Sequence, residues 1–325
     1  MVHLGVLGVG AMGRNHARVY SELKSVDSVF IFDTNQDLAK EVAKASNVSM
    51  CTSIDELASL VDAVSICVPT PYHFAMAKKF IEYGINIFIE KPICQTVQDA
   101  QQLVEMIPRD IIAGVGHIER FNPVVHEIFR IINKPLYVEI KRHNPASARV
   151  SGSTVIEDLM IHDIDIVFNL LFNGTWTLSS AGTQDICAAL FNVDNIPVFL
   201  SASRKASKKI RSIYIEEEEF TVEGDLMTQE IFVYRKPNRY GVENARYIQD
   251  NIIEKVLVNK VEPLKSELST FVNCIRDNRQ FPITPRQALK NLEICEYIRK
   301  QANIGDFTSK DPMPMQNIGQ GTSTG

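Results

Sequence analysis

The chain has 325 residues, 45% hydrophobic and 22% charged, with a formal net charge of −5. That is room for two domains with a sizeable core in each, and the acidic balance argues against nucleic acid or an anionic membrane as partner. No apolar run reaches the ~20 residues of a membrane helix. The best candidate, 186–202, is cut by Asn192 and Asp194. The apolar start from Met1 to Met12 lacks a basic leader and turns directly into a glycine-rich loop, unlike a signal peptide.

From residue 3 to about 116, short β-branched runs at 3–8, 28–33, 62–68, 85–90 and 111–115, with a weaker one at 48–50, alternate with helical stretches near 11–23, 35–46, 53–60, 72–84 and 96–107. Ser53 with Glu56, and Thr96 with Asp99, mark helix starts. All-apolar strands separated by helices imply a parallel sheet covered on both faces. After about 120 a helix near 122–133 leads to a strand at 136–143 and a helix at 156–173. Strand-like runs then follow closely at 176–183, 186–193, 196–203, 210–216, 219–223 and 226–234, and their short turns imply antiparallel neighbours. Two helices close the fold, 263–278 and 285–301, the second with Thr284 as N-cap and Pro285 in its first turn. The expected organisation is an α/β domain at 1–119, an α+β domain with an open, mainly antiparallel sheet at 120–305, and a mobile polar tail at 306–325. The six cysteines (51, 67, 94, 187, 274, 295) form no Cys-x-x-Cys pair and read as reduced, buried apolar residues of a cytoplasmic protein, with no disulfide frame and no metal site.

Gly8-Val9-Gly10-Ala11-Met12-Gly13 follows the first strand and opens the first helix, and Asp33 ends the second strand twenty residues after Gly13. That context makes the glycine pattern a dinucleotide (Rossmann) fingerprint. Gly8 permits the tight turn, Gly10 lets the backbone approach a pyrophosphate, and Gly13 lets helix and strand pack closely. The unpaired N–H groups at the helix start, around Ala11 and Met12, face the phosphates. Asp33 would accept from the adenosine ribose hydroxyls and repel a 2′-phosphate; Thr34, Asn35 and Gln36 supply no compensating cation, so NAD is expected over NADP.

Ile89-Glu90-Lys91-Pro92 ends the fifth strand, and strand ends line the ligand crevice of open α/β sheets. Lys91 is therefore placed for chemistry, although a surface Lys-Pro turn would look the same. Asp158 and His162 stand four apart on a helix and share a face. A carboxylate there can fix the imidazole tautomer and raise its basicity, as a general base needs. An ion pair on a solvated face is the plainer alternative.

Together with Pro69-Thr70-Pro71-Tyr72-His73 and the late Glu262-Pro263-Leu264-Lys265-Ser266-Glu267-Leu268, these motifs resemble the glucose–fructose oxidoreductase, inositol dehydrogenase and rhizopine-catabolism family over nearly the whole chain. The resemblance implies that Lys91, Asp158 and His162 form the catalytic set. It also implies that Thr70, His73 and Glu90 lie along the cofactor, that the Lys91–Pro92 bond is cis, and that the second domain is an open sheet. A narrower resemblance, carried by Gly116-His117-Ile118-Glu119-Arg120-Phe121-Asn122-Pro123 and the stretch 156–164, is to family members that oxidise the 3-hydroxyl of UDP-N-acetylglucosamine before an amination. Free polyol oxidation, as of inositol, and a non-catalytic NAD-responsive regulator are the rival readings.

Arg142, His143, Arg149, Arg204, Lys208, Lys209 and Arg211 could bind a nucleotide diphosphate, since arginine takes phosphate bidentately. Equally, 203–211 could pair across a sheet with the acidic 216–219. Arg142 and Arg149, preceding the catalytic helix, are the preferred diphosphate ligands, and His117 and Asn122 lie near the crevice as substrate contacts. His3, His16 and His126 read as structural or solvated. Strands 176–234 keep apolar residues on both faces (Phe199 opposite in sense to Val198 and Leu200), so a homodimer or homotetramer is expected.

Overall fold

The computed structural model describes residues 2–145, 153–237, 240–243, 246–249 and 251–305. Arg149 and the expected tail lie outside them. The first six strands are β1 (His3–Leu7), β2 (Ser28–Phe32), β3 (Ser49–Met50), β4 (Ala63–Ile66), β5 (Asn86–Glu90) and β6 (Ala113–Gly116). They form one parallel sheet in the order β3-β2-β1-β4-β5-β6. Helices α1 (Ala11–Glu22), α2 (Gln36–Ser46), α3 (Ile54–Leu60), α4 (His73–Glu82) and α5 (Val97–Met106) connect them. The strand order reverses between β1 and β4, which opens a crevice at the carboxyl ends. Ser53 and Thr96 cap α3 and α5 as the sequence predicts, accepting from Glu56 N and Asp99 N at 3.0 Å each.

After α6 (Pro123–Ile131) comes β7 (Tyr137–His143), then a long helical segment. Its centre, α7 (Ile161–Ile166), is flanked by π-helical turns at Ile156–Met160 and Val167–Leu171. Nine strands follow: β8 (Trp176–Gly182), β9 (Ile186–Val193), β10 (Ile196–Ser203), β11 (Ile210–Glu216), β12 (Phe220–Asp225), β13 (Glu230–Arg235), β14 (Tyr240–Glu243), β15 (Arg246–Gln249) and β16 (Ile252–Val256). Eight strands build the second sheet, ordered β16-β13-β12-β11-β7-β10-β9-β8, with β7–β10 its one parallel pair; β14 and β15 pair separately. The expected strand at 226–234 starts later, because the chain turns at 226–229. The strands from 240 to 256 have no counterpart in the sequence reading.

Inward residues of the second sheet (Val138, Ile140, Phe191, Val198, Leu200, Ile213) pack on α6, α7 and the π turns as one core. The first sheet has its own core, and it includes α8 (Pro263–Arg276) through Leu264, Leu268, Phe271 and Val272. The stretch 120–305 is thus not one block: the chain returns to the first sheet after finishing the second. The last helix, α9 (Pro285–Gln301), joins the two cores, Ala288 and Leu292 to the first and Ile294, Cys295 and Ile298 to the second. Thr284 caps it in a full capping box with Gln287. All six cysteines are free, and burial pushes the Cys94 thiol up to about 12. Among the described residues no helix is long and apolar enough to cross a membrane.

Candidate active site

The crevice begins where β1 ends. Gly8 turns the chain at φ +84°, open to glycine at little cost, and its N–H donates to the Phe32 carbonyl at 2.8 Å. A Cβ on Gly13 would lie 1.8 Å from the Gly8 carbonyl oxygen, so helix α1 can start this close only with glycine there. Gly10, the N-cap of α1, faces open space, with nothing within 4 Å of a Cβ position and no side chain capping the helix. The Asp33 carboxylate accepts from Val9 N at 2.7 Å and from Asn35 N at 2.8 Å, tying the loop to the end of β2. These residues fit NAD: the free N–H groups after Gly10 would meet the pyrophosphate, and Asp33 would meet the ribose.

The side chains of two other expected cofactor contacts are bonded within the protein. Glu90 is buried and accepts from His16 Nε2 at 2.8 Å, so this pair joins β5 to α1. His73 is buried with Nδ1 2.9 Å from the Pro92 carbonyl and Nε2 2.9 Å from the Val68 carbonyl, bracing the ends of β4 and β5 against each other. Both side chains are therefore engaged in holding the crevice walls together. Thr70, in the turn Thr70–Tyr72, borders a cavity of about 580 Å³ that also touches Pro92, Gln95, Ser153, Thr154 and Glu157, the chain neighbours of Lys91 and Asp158.

The Lys91–Pro92 bond is cis. Lys91 Nζ donates to the Asp158 carbonyl at 2.6 Å and to its Oδ1 at 3.4 Å. Arg204 completes the cluster, with Nε 3.2 Å and Nη2 3.1 Å from Asp158 Oδ2, and with further bonds to the Ser153 and Thr154 carbonyls. The expected Asp158–His162 hydrogen bond is not among those the described residues form, and His162 Nδ1 is buried without a partner there. Two cations hold the carboxylate more strongly than a neutral imidazole can, and the π turn at Ile156–Met160 breaks the α-helical spacing on which the expectation rested. The consequence for basicity is also reversed. Burial, and then the charges of Lys91, Arg142, His117 and Arg211, hold the His162 pKa well below its ordinary value.

His117 lies edge-on to His162, ring centroids 6.2 Å apart, fully buried, with Nε2 3.2 Å from Asn291 Nδ2. Asn122 is not free for a substrate. Its Oδ1 caps α6 through Val124 N, and its Nδ2 donates to Glu119 and to the Leu226 carbonyl. Arg142 is not free either: Nε and Nη2 bond Asp163 Oδ1 at 2.9 and 2.6 Å, and Nη1 bonds Glu119 Oε1 at 2.6 Å. It sits in phase with buried Val138 and Ile140, so the strand alternation carries it inward. A second buried pair, Arg120 with Asp165, lies alongside at 2.5 Å. Neither reading of 203–211 holds as a whole. Arg211 pairs in register with Arg142, Glu216 with Tyr137 and Thr221, and Lys208 and Lys209 are exposed. His143 bonds Ser201 on the outer face, and exposed His126 is solvated.

Comparison with known proteins places this geometry. The model of an oxidoreductase family with an NAD-binding Rossmann fold matches residues 2–117. The UDP-N-acetylglucosamine 3-dehydrogenase of Acidithiobacillus ferrooxidans is 31% identical over 290 residues, 86% of this chain and 91% of that protein. Its solved structure superposes with a TM-score of 0.81 at 27% identity, over 92% of this chain and 97% of that one. Inositol 2-dehydrogenase of Rhizobium meliloti is 28% identical over 315 residues, 91% of this chain and 95% of that protein. A levoglucosan dehydrogenase solved with NADH and levoglucosan shares the fold, with a TM-score of 0.78 at 15% identity over 93% of this chain and 97% of that one.

Proposed function

The chain belongs to the glucose–fructose oxidoreductase, inositol dehydrogenase and rhizopine-catabolism family of NAD-dependent oxidoreductases, and from that premise we propose that it oxidises the 3-hydroxyl of UDP-N-acetylglucosamine to the ketone, the form a transaminase converts to a 3-amino sugar. The near full-length likeness to the Acidithiobacillus ferrooxidans enzyme carries this choice of substrate.

NAD, which the Gly8–Gly13 loop and Asp33 would hold, would supply the acceptor for the hydride leaving the sugar carbon. The hydroxyl proton goes to His162. With Nδ1 shut inside the fold, Nε2 is the nitrogen left to receive it, and a strongly depressed pKa keeps the ring unprotonated beforehand. Lys91 spends two N–H bonds on Asp158 and keeps the third for the reacting oxygen, where it stabilises developing negative charge. Asp158, itself clamped by Arg204, positions Lys91 rather than His162. Lys91 is the alternative base.

A second reading, oxidation of a free polyol, is favoured by the inositol dehydrogenase likeness. Incubation with NAD and, separately, UDP-N-acetylglucosamine, free N-acetylglucosamine and inositol distinguishes the two through NADH formation and product mass. Inositol turned over as well as the UDP-sugar would replace the nucleotide-sugar reading. A ketone at C4 or C6 would overturn the position alone.

A second copy of the chain is the proposed cover for the outer face of the second sheet. There Ile186 and Leu190 are 47% and 46% exposed, and Phe199 stands opposite Leu190 in the register. Light scattering should give at least twice the chain mass, falling for Leu190→Glu; a monomer in the unmodified protein would end this assignment.

A further inference from the structure

Arg211 of β11 stands directly opposite Arg142 of β7, yet the two guanidiniums are bonded very unequally. The Arg142 side chain is 1% exposed and fully committed to Asp163 and Glu119. The Arg211 side chain is 31% exposed. Its one hydrogen bond among the described residues runs 3.3 Å from Nη1 to Glu119 Oε1, the oxygen that Arg142 already holds at 2.6 Å. The other Glu119 oxygen is taken by Asn122. Arg211 Nε is buried with no partner among the described residues.

We infer that Arg211 binds a phosphate of the nucleotide-sugar substrate, beside His162. The inference rests on the nucleotide-sugar reading above and names the residue that recognises the nucleotide part. A cation kept for architecture is bonded as Arg142 is. Arg211 instead has a spent carboxylate on one side and a like charge on the other; burial first, and then the charge of Arg142, lower its pKa although Glu119 acts to raise it. A guanidinium short of acceptors but open on one side is completed by an anion with oxygens at fork spacing, and a phosphate supplies them. The position is close to the catalytic residues, because Arg142, directly opposite Arg211, holds Asp163, the chain neighbour of His162. The other described cations of the basic set are spent or misplaced. Arg204 is used by Asp158 and two carbonyls, and Lys208 and Lys209 point into solvent.

The test is titration of UDP into the NAD-loaded protein by calorimetry, alongside KM for UDP-N-acetylglucosamine, for the unmodified chain and Arg211→Met. The variant should weaken UDP and raise KM by about 10- to 100-fold, the effect of one charged hydrogen-bond partner, while kcat holds, as for lost uniform binding. Its ligand-free melting temperature should not fall, because the Glu119–Arg142–Asp163 cluster stays whole and loses a repulsive neighbour. Arg211→Gln, neutral but still a donor toward Glu119, gives the same readout should the methionine variant fail to fold. Equal UDP affinity with and without Arg211 overturns this inference and leaves the substrate reading standing. If the unmodified protein does not bind UDP at all, both fall.

Discussion

Lys91 crosses from the end of β5 to Asp158 and holds that residue twice, by its backbone carbonyl at 2.6 Å and by its carboxylate at 3.4 Å. A lysine fixed at two points on one turn has little freedom left, so its remaining N–H is aimed before any substrate arrives. Lys91→Met should therefore lower kcat by about two orders of magnitude or more, as should His162→Asn. NAD affinity should change little for His162→Asn, which leaves the glycine loop and Asp33 intact. Steady-state rates and NAD titration measure the two effects separately, and full activity in either variant removes that residue from the mechanism.

The pH profile separates the two candidate bases. The His162 pKa lies well below 6.5 because of burial first and the charges of Lys91, Arg142, His117 and Arg211 next. A depressed base stays neutral and competent as the medium acidifies, so its limb in kcat/KM should fall below pH 6.5. Stability follows the same sign. The unfolded chain takes up this proton near its ordinary value while the folded chain does not. The contribution is whole above 6.5 and drains away as pH drops toward the folded value. Melting curves against pH should show that slope in the unmodified protein and less of it in His162→Asn. An acidic limb above 6.5 would move the base to Lys91.

Features set by short-range pattern were legible in the sequence. Strand and helix alternation, the Gly8–Gly13 spacing, Asp33 and the caps at Ser53, Thr96 and Thr284 each depend on a few neighbouring residues. Features set by long-range pairing were not. That Asp158 would meet Lys91 and Arg204 depends on how β5 and the turn after β10 approach the segment 156–171, about which an i, i+4 spacing says nothing. Arg142 is the instructive case, because its phase with Val138 and Ile140 was in the sequence and pointed inward. The partners that make such burial tolerable, Glu119 and Asp163, lie 23 and 21 residues away. Strand β16 was missed because it is an exposed edge, with nothing to impose alternation on Ile252-Ile253-Glu254-Lys255.

Arg142 offers a clean contrast with Arg211. Arg142→Met leaves Asp163 buried without its cation and Glu119 with only its longer bond to Arg211, a loss of about 3–5 kcal/mol when one partner of a buried pair is removed. The expected result is a large fall in unfolding free energy, read by urea denaturation, with no selective rise in KM in whatever fraction folds. A stable variant with raised KM would return Arg142 to the substrate site.

Asp33 has two tasks that mutation can part. Its carboxylate fixes Val9 N and Asn35 N and is the proposed acceptor for the adenosine ribose. Asp33→Ala should weaken NAD and relax discrimination against NADP. Asp33→Asn keeps an acceptor for Val9 and removes the charge, so it should lose discrimination with less damage to NAD binding. Tighter binding of NADP than NAD by the unmodified protein would contradict the role.

Glu267 of α8 is fully buried, and neither carboxyl oxygen has a partner. Burial, with Glu90, Asp165 and Glu119 adding repulsion, pushes its pKa well above 4.5, so the folded chain keeps this proton to higher pH than the unfolded chain does. The unfolded chain releases that proton above about 4.5. The site's contribution is therefore best below that pH and worsens steadily as pH rises toward the folded value. Replacing the acid with a side chain of similar volume that needs no solvation should remove this penalty. Glu267→Met is expected to stabilise the protein by about 1–3 kcal/mol, the cost of one unsatisfied buried polar group, and the gain should be larger at pH 8 than at pH 5. Urea unfolding at the two pH values measures it. A variant less stable at both would mean that the acid is satisfied inside the fold.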